Sequence, residues 1–256
     1  MRMNTQEERR LYLIKALLTE RGEDMDIPKS ANTRKQLLRA LFNVRPPLPA
    51  SAEFLRVQDV YLQEEIRLKG IAEYKNLRPI QPGIYLWQGD ITTLQCGAIV
   101  NAANSQMLGC FHPNHGCIDN AIHTSAGVQL RLECAEIMQS QGHEEPTGRA
   151  KITGAYNLPC EYILHTVGPI VGCEVTPKNQ QDLQDCYISC LQLAKENSIK
   201  SVAFCCVSTG FFHFPNRLAA EIAVETVRNS KDDIEVIFNV FKDGDYQIYH
   251  ELLNGK

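Results

Sequence analysis

The chain lacks three features that mark common classes of protein. It has no run of about 18 or more apolar residues, so we expect no membrane span. It has no basic excess, since 26 Lys and Arg stand against 30 Asp and Glu, and the net charge of −4 disfavours general nucleic-acid binding. Its N-terminal stretch lacks the apolar segment and the small-residue cleavage site of a secretory signal. We therefore expect neither a membrane nor a nucleic acid as a partner.

The composition suits one large domain, or a core domain with a smaller appendage. The chain has 256 residues, and its apolar content of 44% is enough for a hydrophobic core. Its ten cysteines are scattered through apolar surroundings, and four of them lie in helix-like or strand-like runs: Cys186, Cys190, Cys205 and Cys206. We interpret them as free, buried thiols in a reducing compartment rather than as a disulfide scaffold, which favours a cytoplasmic location.

The most informative stretch is Cys-Phe-His-Pro-Asn-His-Gly-Cys, residues 110–117, which contains two cysteines and two histidines. Zinc favours thiolate and imidazole ligands, and His115 and Cys117 are close enough in sequence to bind one ion. The sequence offers no second Cys-His cluster to complete a closed four-ligand site, and a catalytic metal keeps one position open. The stretch therefore favours a catalytic metal. Its histidine ligand is either His115 or His112, because Pro113 bends the chain between the two.

About the first seventy residues are predicted to be helical, because apolar residues recur at helical spacing in three runs. The first run lies at 11–18. The second lies at 37–42, after a possible cap at Asn32 or Thr33, and the third spans about 52–68 and ends at Gly70. These helices carry no cluster of catalytic residue types. We interpret them as a packing appendage, with a lid or a partner-binding surface as the alternative.

From about residue 74 onward, apolar strands alternate with helical patterns, which favours an α/β sheet covered by helices on both faces. Strands are predicted at 84–87, 98–100, 150–158, 162–167, 201–207 and 234–240. Helices are predicted at 127–138, 180–197, 217–227 and 246–253. Several strands are apolar throughout, as expected when both faces of a sheet are buried. Ligands of such sheets bind at the carboxyl ends of the strands.

Three of these strands are followed by polar or small residues. Asp90 follows the first and could accept a hydrogen bond from an adenine amino group, or it could simply cap a turn. The run Asn101–Asn104 follows the second and could present amides to a sugar, although Asn is also a common turn residue. The segment 208–215 follows the fifth strand and could bind phosphate through backbone N–H groups. There Phe211 and Phe212 could flank an adenine or a ribose, or could belong to the core.

Five motifs, taken in order, resemble the ADP-ribose-binding signatures of the macrodomain family: GDIT (89–92), IVNAAN (99–104), CIDNAIH (117–123), YILHTVGP (162–169) and STGFFHFP (208–215). The resemblance covers about residue 83 to the C-terminus. It implies a three-layer α/β/α fold around a mixed, mostly parallel sheet, with ADP-ribose in a cleft at the strand ends. It divides the chain into a helical extension, residues 1–73, and a macrodomain, residues 74–256.

Members of the family that remove ADP-ribose commonly carry a glycine-rich run where this chain has residues 110–117. That departure resembles the zinc-containing microbial branch, whose members tend to carry a helical N-terminal extension. The branch implies hydrolysis of mono-ADP-ribose from modified proteins, with Zn²⁺ as cofactor and ADP-ribose as product. A module that only binds ADP-ribose, an O-acetyl-ADP-ribose deacetylase and a structural zinc domain are the alternatives.

The resemblance also assigns roles by position. Asp90 would hold the adenine amino group, Asn104 would orient the hydroxyls of the distal ribose, and Asp119 is the candidate general base. The residues expected to contact ADP-ribose are Asp90, Ile91, Asn104, Cys117, Ile118, Asp119, Asn120, Ser208, Thr209, Gly210, Phe211 and Phe212. The residues expected to hold zinc are Cys110, His115 and Cys117. His213 stands where many macrodomains have a small residue, so the shape of that loop departs from the family pattern. His123 and His165 are expected to be structural hydrogen-bonders.

Overall fold

The computed structural model describes residues 3–255, and three helices come first. They are α1 (Gln6–Arg21), α2 (Ala31–Val44) and α3 (Ala52–Lys69). The side chain of Thr5 accepts a hydrogen bond from the N–H of Glu8, whose carboxylate bonds back to the Thr5 N–H, so a capping box begins α1. Ser30 precedes α2, so Asn32 and Thr33, the two residues considered as its cap, both lie inside the helix. Gly70 follows α3, as the sequence predicts.

These three helices share a hydrophobic cluster of their own. The apolar residues at helical spacing face inward, and the buried set includes one residue from the domain that follows. Its members are Leu13, Ile14, Leu17, Leu18, Leu38, Leu41, Phe42, Phe54, Val57, Tyr61, Leu62 and Val128. The extension, residues 3–69, is therefore a small helical core packed against the rest of the chain.

The remaining chain is built on a mixed sheet of six strands. These are β2 (Ile84–Gln88), β4 (Ala98–Ala103), β5 (Ala150–Gly154), β6 (Tyr162–Val167), β7 (Ser201–Phe204) and β8 (Glu235–Val240). Their order is β2-β8-β7-β4-β6-β5, and only β5 runs antiparallel to its neighbour. The short strands β1 (Ala72–Glu73) and β3 (Leu94–Gln95) pair in parallel beside the sheet. The carboxyl ends of β2, β4, β6, β7 and β8 therefore lie along one edge.

Five helices cover the sheet. They are α4 (Ile118–Ala126), α5 (Val128–Gln141), α6 (Pro177–Glu196), α7 (Asn216–Ser230) and α8 (Asp243–Asn254). With the sheet between them they form the expected three-layer α/β/α arrangement. Strand β7 and most of β4 are buried on both faces, which explains their continuously apolar sequences. The boundary expected after residue 73 falls next to β1, and it stays a prediction.

Several elements differ from the sequence prediction, and the short strands β1 and β3 were not predicted. Helix α4 was not predicted, because its N-cap is Cys117 rather than one of the usual oxygen-bearing caps. Strand β5 ends at Gly154 instead of residue 158, since Tyr156 adopts φ +53° in a turn. Strand β7 ends at Phe204 instead of residue 207, and the chain then turns into the segment that leads to α7.

The ten cysteines are all free, as the sequence predicts, and six of them are buried. The expectation of burial fails for the other four, because Cys110, Cys117 and Cys206 are partly exposed and Cys173 is exposed. Across residues 3–255, none of the helices is both long enough and apolar enough to cross a lipid bilayer.

Candidate functional site

The stretch 110–117, here called the metal loop, follows the turn after β4 and leads directly into α4. The three residues predicted to hold zinc meet there: one donor atom each from Cys110, His115 and Cys117 lies within 4.8 Å of the other two. The Cys110 Sγ and the His115 Nδ1 are 3.5 Å apart. A tetrahedral zinc with ordinary bond lengths separates a sulfur and a nitrogen ligand by about 3.6 Å, so the donors fit that ion. His112 is exposed and lies outside the trio.

Cys117 is both a member of this trio and the N-cap of α4. Its Sγ accepts a hydrogen bond from the Asn120 N–H at 3.4 Å. Burial, with a further contribution from the neighbouring Cys110, raises the pKa of the Cys117 thiol to about 12. Without a bound cation, the thiol therefore carries its proton.

Behind the metal loop, the predicted base Asp119 is buried in a polar cluster. The Asn101 Nδ2 donates to the Asp119 Oδ1 at 2.8 Å and lies 3.1 Å from the His165 Nδ1. The other ring nitrogen of His165, Nε2, lies 2.9 Å from the Thr153 hydroxyl. Burial raises the pKa of Asp119 to about 6, although the bond from Asn101 opposes this. The cluster fixes one carboxylate oxygen of Asp119 at the first turn of α4.

A second group of possible metal ligands, His123, Cys134 and His165, is fully buried. His165 already uses both ring nitrogens in the polar cluster, so it has no free donor for a metal. It is the structural hydrogen-bonder that the sequence predicts. His123 differs, because neither of its ring nitrogens has a partner within the described residues, and its Nε2 lies 3.5 Å from the Asp119 Oδ1. Burial lowers the pKa of His123, so this contact is not an ion pair.

Asn104, predicted to orient the distal ribose, lies between β4 and the metal loop and shapes the chain there. Its Oδ1 accepts from the N–H groups of Gln106 and Met107 at 3.0 and 3.1 Å, and its Nδ2 donates to the carbonyl of Gly109 at 3.2 Å. These bonds form a turn that leads into Cys110. The ribose contact of Asn104 stays a prediction.

Asp90 lies at the carboxyl end of β2 and caps the short turn Ile91–Thr93, which is the second role considered for it. Its Oδ1 accepts from the N–H of Thr92 at 3.0 Å, and its Oδ2 accepts from the Lys69 Nζ at 2.9 Å. Burial opposes ionisation, yet the bonds from Thr92 and Lys69 lower the pKa of Asp90 below its ordinary value. Asp90 is thus a charged acceptor that is still 39% exposed.

The segment 208–214, here called the β7 loop, is a closed turn. The Phe214 N–H donates to the Ser208 carbonyl at 3.0 Å, and both Ser208 and His213 adopt positive φ, at +64° and +55°. Its rim contacts two neighbouring segments, the one that follows β6 and the metal loop. The Phe212 carbonyl accepts from the Val171 N–H at 2.8 Å, and the Phe211 ring lies 4.6 Å from the His115 ring. Phe211 therefore faces the metal loop and not the Asp90 end of the sheet.

Phe241 is a candidate that the sequence analysis missed. It follows β8, whose neighbour in the sheet is β2, and the Gly89 N–H donates to the Val240 carbonyl at 3.0 Å. Its side chain is 75% exposed, although most other aromatic side chains are covered. An exposed ring beside the carboxyl end of β2 could stack on a planar base. The rule of inspecting the residue after each strand would have found it.

Comparisons with known proteins agree with this architecture. A family model described as "Macro domain" matches residues 100–223. A protein of Treponema medium named protein-ADP-ribose hydrolase is 54% identical over 98% of this chain and 100% of its own length. The chain belongs to the macrodomain family. A second protein of that name, from a strain of Staphylococcus aureus, is 51% identical over 95% of this macrodomain chain and 94% of its own length.

A solved macrodomain structure supports the fold over nearly the whole chain. The Trypanosoma brucei macrodomain in complex with ADP-ribose superimposes with a TM-score of 0.64 at 30% identity. The match covers 88% of this macrodomain chain and 97% of the other. The residues predicted to contact ADP-ribose lie along the carboxyl edge of the sheet, with Asp90 at one end, the β7 loop in the middle and the metal loop beyond it.

The close contact between Gly168 and Ser208, at the carboxyl edge of the sheet, predicts that a side chain at position 168 destabilises the protein. A Cβ at Gly168 would lie 2.1 Å from the Ser208 Oγ, a buried hydroxyl with no partner in the described chain. We expect Gly168→Ala to lower the free energy of unfolding by about 1–3 kcal/mol through overpacking. Gly172→Ala is the matched control, because nothing lies within 4 Å of its added methyl. Urea unfolding of both variants checks this, and equal stabilities would contradict it.

Proposed function

We propose that this macrodomain is a hydrolase that removes mono-ADP-ribose from modified proteins. The observation that carries the activity is the 54% identity, over 98% of the chain, to a protein named protein-ADP-ribose hydrolase. That match covers the extension as well as the macrodomain, because it spans nearly the whole chain. Asp90, the β7 loop and the metal loop follow one another along one edge of the sheet. This extended arrangement supports an elongated substrate such as ADP-ribose.

Within this proposal the ligand lies across the carboxyl ends of the strands. Asp90 accepts from the adenine amino group, and the exposed ring of Phe241 stacks on the base. The backbone N–H groups of the β7 loop and the start of α4 face the diphosphate. The distal ribose then lies next to the metal loop, where Phe211 and His115 are already in contact.

We further propose that the metal loop binds Zn²⁺ through Cys110, His115 and Cys117. The separation of 3.5 Å between Cys110 Sγ and His115 Nδ1 supports this, as does the mutual distance limit of 4.8 Å within the trio. Three protein ligands leave one tetrahedral position open, which suits a catalytic role. When bound, zinc would supply a Lewis acid that polarises a ribose or phosphate oxygen.

Asp119 provides the base in this mechanism. Hydrolysis joins a water oxygen to the anomeric carbon of the distal ribose, while the bond from that carbon to the acceptor side chain breaks and the acceptor leaves with the bonding electrons. The proton of the water passes to Asp119, whose Oδ1 is held by Asn101. Asn104 orients the sugar hydroxyls.

Zinc dependence is tested by measuring the release of ADP-ribose from a mono-ADP-ribosylated protein. We expect a chelator to abolish release and added zinc to restore it. Binding of free ADP-ribose, measured by calorimetry in parallel, identifies a pure binding module: such a protein would bind the ligand and release nothing. Full release from metal-free protein would refute the zinc proposal while leaving the hydrolase proposal intact. Acetate release from O-acetyl-ADP-ribose without release from the protein substrate would favour the deacetylase.

Single substitutions identify the ligands. We expect Cys110→Ala, His115→Ala and Cys117→Ala each to lose bound zinc, because each removes one of only three donors. His112→Ala is the matched control for His115→Ala and should retain zinc, since its ring lies outside the trio. Metal content after dialysis checks this. Loss of zinc from the His112 variant, with retention in the His115 variant, would reverse the assignment.

Asp119→Ala separates the base from the metal. We expect this variant to keep its zinc and to release ADP-ribose about 10²- to 10⁴-fold more slowly, because it lacks the group that accepts the proton. Asp233→Ala, in an exposed turn at the amino end of β8, is the control and should hydrolyse at the normal rate. Unchanged turnover in the Asp119 variant would exclude it as the base. Metal analysis and unfolding curves exclude loss of zinc or of the fold as the cause.

A further inference from the structure

We infer that Arg39, in helix α2 of the extension, is a positioning residue that holds the metal loop in its ligand geometry. The inference rests on the proposed function, because it concerns the same zinc site. It assigns a role to a segment that carries no cluster of catalytic residue types. The role follows from hydrogen bonds that cross from the extension to the loop.

Arg39 contacts the loop directly. Its Nη2 donates to the carbonyl of His115 at 2.8 Å and to the Asn120 Oδ1 at 2.9 Å. Its Nε donates to the same Oδ1 at 3.2 Å. The guanidinium therefore bridges the backbone of one predicted ligand and a side chain in α4. Its planar set of donors holds both acceptors at fixed positions.

Asn120 extends this contact to the other two ligands. Its side chain is completely buried, and its Nδ2 donates to the carbonyls of His112 and Cys110 at 3.0 and 3.4 Å. Its backbone N–H donates to the Cys117 Sγ at 3.4 Å. Arg39 thus bonds to His115 itself, and it reaches the backbone of Cys110 and the sulfur of Cys117 through one intervening residue.

A second residue of α2 supports the same loop from one helical turn further on. The Asn43 Oδ1 accepts from the N–H of Asn114 at 2.9 Å, where the loop adopts φ +56°. The Asn43 Nδ2 donates to the Thr124 hydroxyl at 2.9 Å, and that hydroxyl donates to the Asn120 carbonyl at 2.6 Å. The extension therefore reaches the Asn120 side chain through Arg39 and the Asn120 carbonyl through Asn43 and Thr124.

The physical consequence concerns the free energy of metal binding. The metal loop has no helix or strand of its own, and ordering each flexible residue costs about 1–2 kcal/mol. A loop already held by Arg39 and Asn120 requires less ordering when the ion binds. Groups that orient metal ligands through hydrogen bonds contribute about 10- to 100-fold to metal affinity. We expect an effect of that size from Arg39.

The test uses the full-length protein and zinc alone. We expect Arg39→Ala to bind zinc about 10- to 100-fold more weakly in competition with a chromogenic chelator. Arg39→Lys keeps the charge, but a single ammonium cannot reproduce the forked contact, so it should also bind zinc more weakly. Arg56→Ala is the matched control: it removes an exposed arginine of the extension, at 69% side-chain exposure, whose one ion-pair partner among residues 3–255 is Glu53. Its zinc affinity should equal that of the unsubstituted protein.

Two further measurements separate positioning from folding. Circular dichroism of the metal-free proteins reports the fold, and the Co²⁺-loaded proteins report ligand geometry through their visible absorption. We expect Arg39→Lys to retain the fold and to change the cobalt spectrum. Unchanged zinc affinity and cobalt spectra in both Arg39 variants would overturn the inference and leave the proposed function standing. Failure of the unsubstituted protein to bind zinc would overturn both the zinc proposal and the inference.

Discussion

The buried carboxamide of Asn120 constrains the metal loop and the helix that follows it. A polar side chain without solvent access must find its partners inside the protein, since each unmet hydrogen bond costs about 1–3 kcal/mol. Asn120 finds them in two loop carbonyls and in Arg39. The loop cannot move away from α4 without leaving these groups unpaired. A stretch without regular secondary structure is thereby held in one conformation.

The same constraint makes the extension part of the site. Arg39 and Asn43 contribute polar contacts to the loop, while Val128 of α5 belongs to the hydrophobic cluster of the extension. At the other end of the carboxyl edge of the sheet, Lys69 at the end of α3 donates to Asp90. The extension therefore contacts both the predicted adenine end and the predicted metal end. A helical segment that only covered apolar surface would not need polar contacts at these two places.

Local sequence signals predicted most of the elements but not the contacts between them. Strand β6 was predicted with both ends correct because its apolar run begins and ends sharply at Tyr162 and Val167. Helix α4 was missed because a sulfur atom caps it, which is rare among N-caps. The trio Cys110, His115 and Cys117 could be proposed because its members are close in sequence. Arg39 could not, since 76 positions separate it from His115 and nothing in a helical pattern indicates which polar residue faces a distant loop.

Because Asn120 is already hydrogen-bonded within the protein, its side chain and its backbone N–H are not free to bind a diphosphate at the start of α4. The carboxamide is occupied by the metal loop and Arg39, and the backbone N–H is occupied by Cys117. The first N–H groups of a helix have no acceptor within the helix, so those of Ile118 and Asp119 remain for a ligand. They point along the helix axis at its positive end, where an anion is favoured. The hydrogen bonds of Asn120 therefore hold Cys117 and the metal loop in place, whereas the backbone N–H groups of Ile118 and Asp119 have no acceptor inside the helix. The contacts of residues 118–120 with ADP-ribose stay predictions.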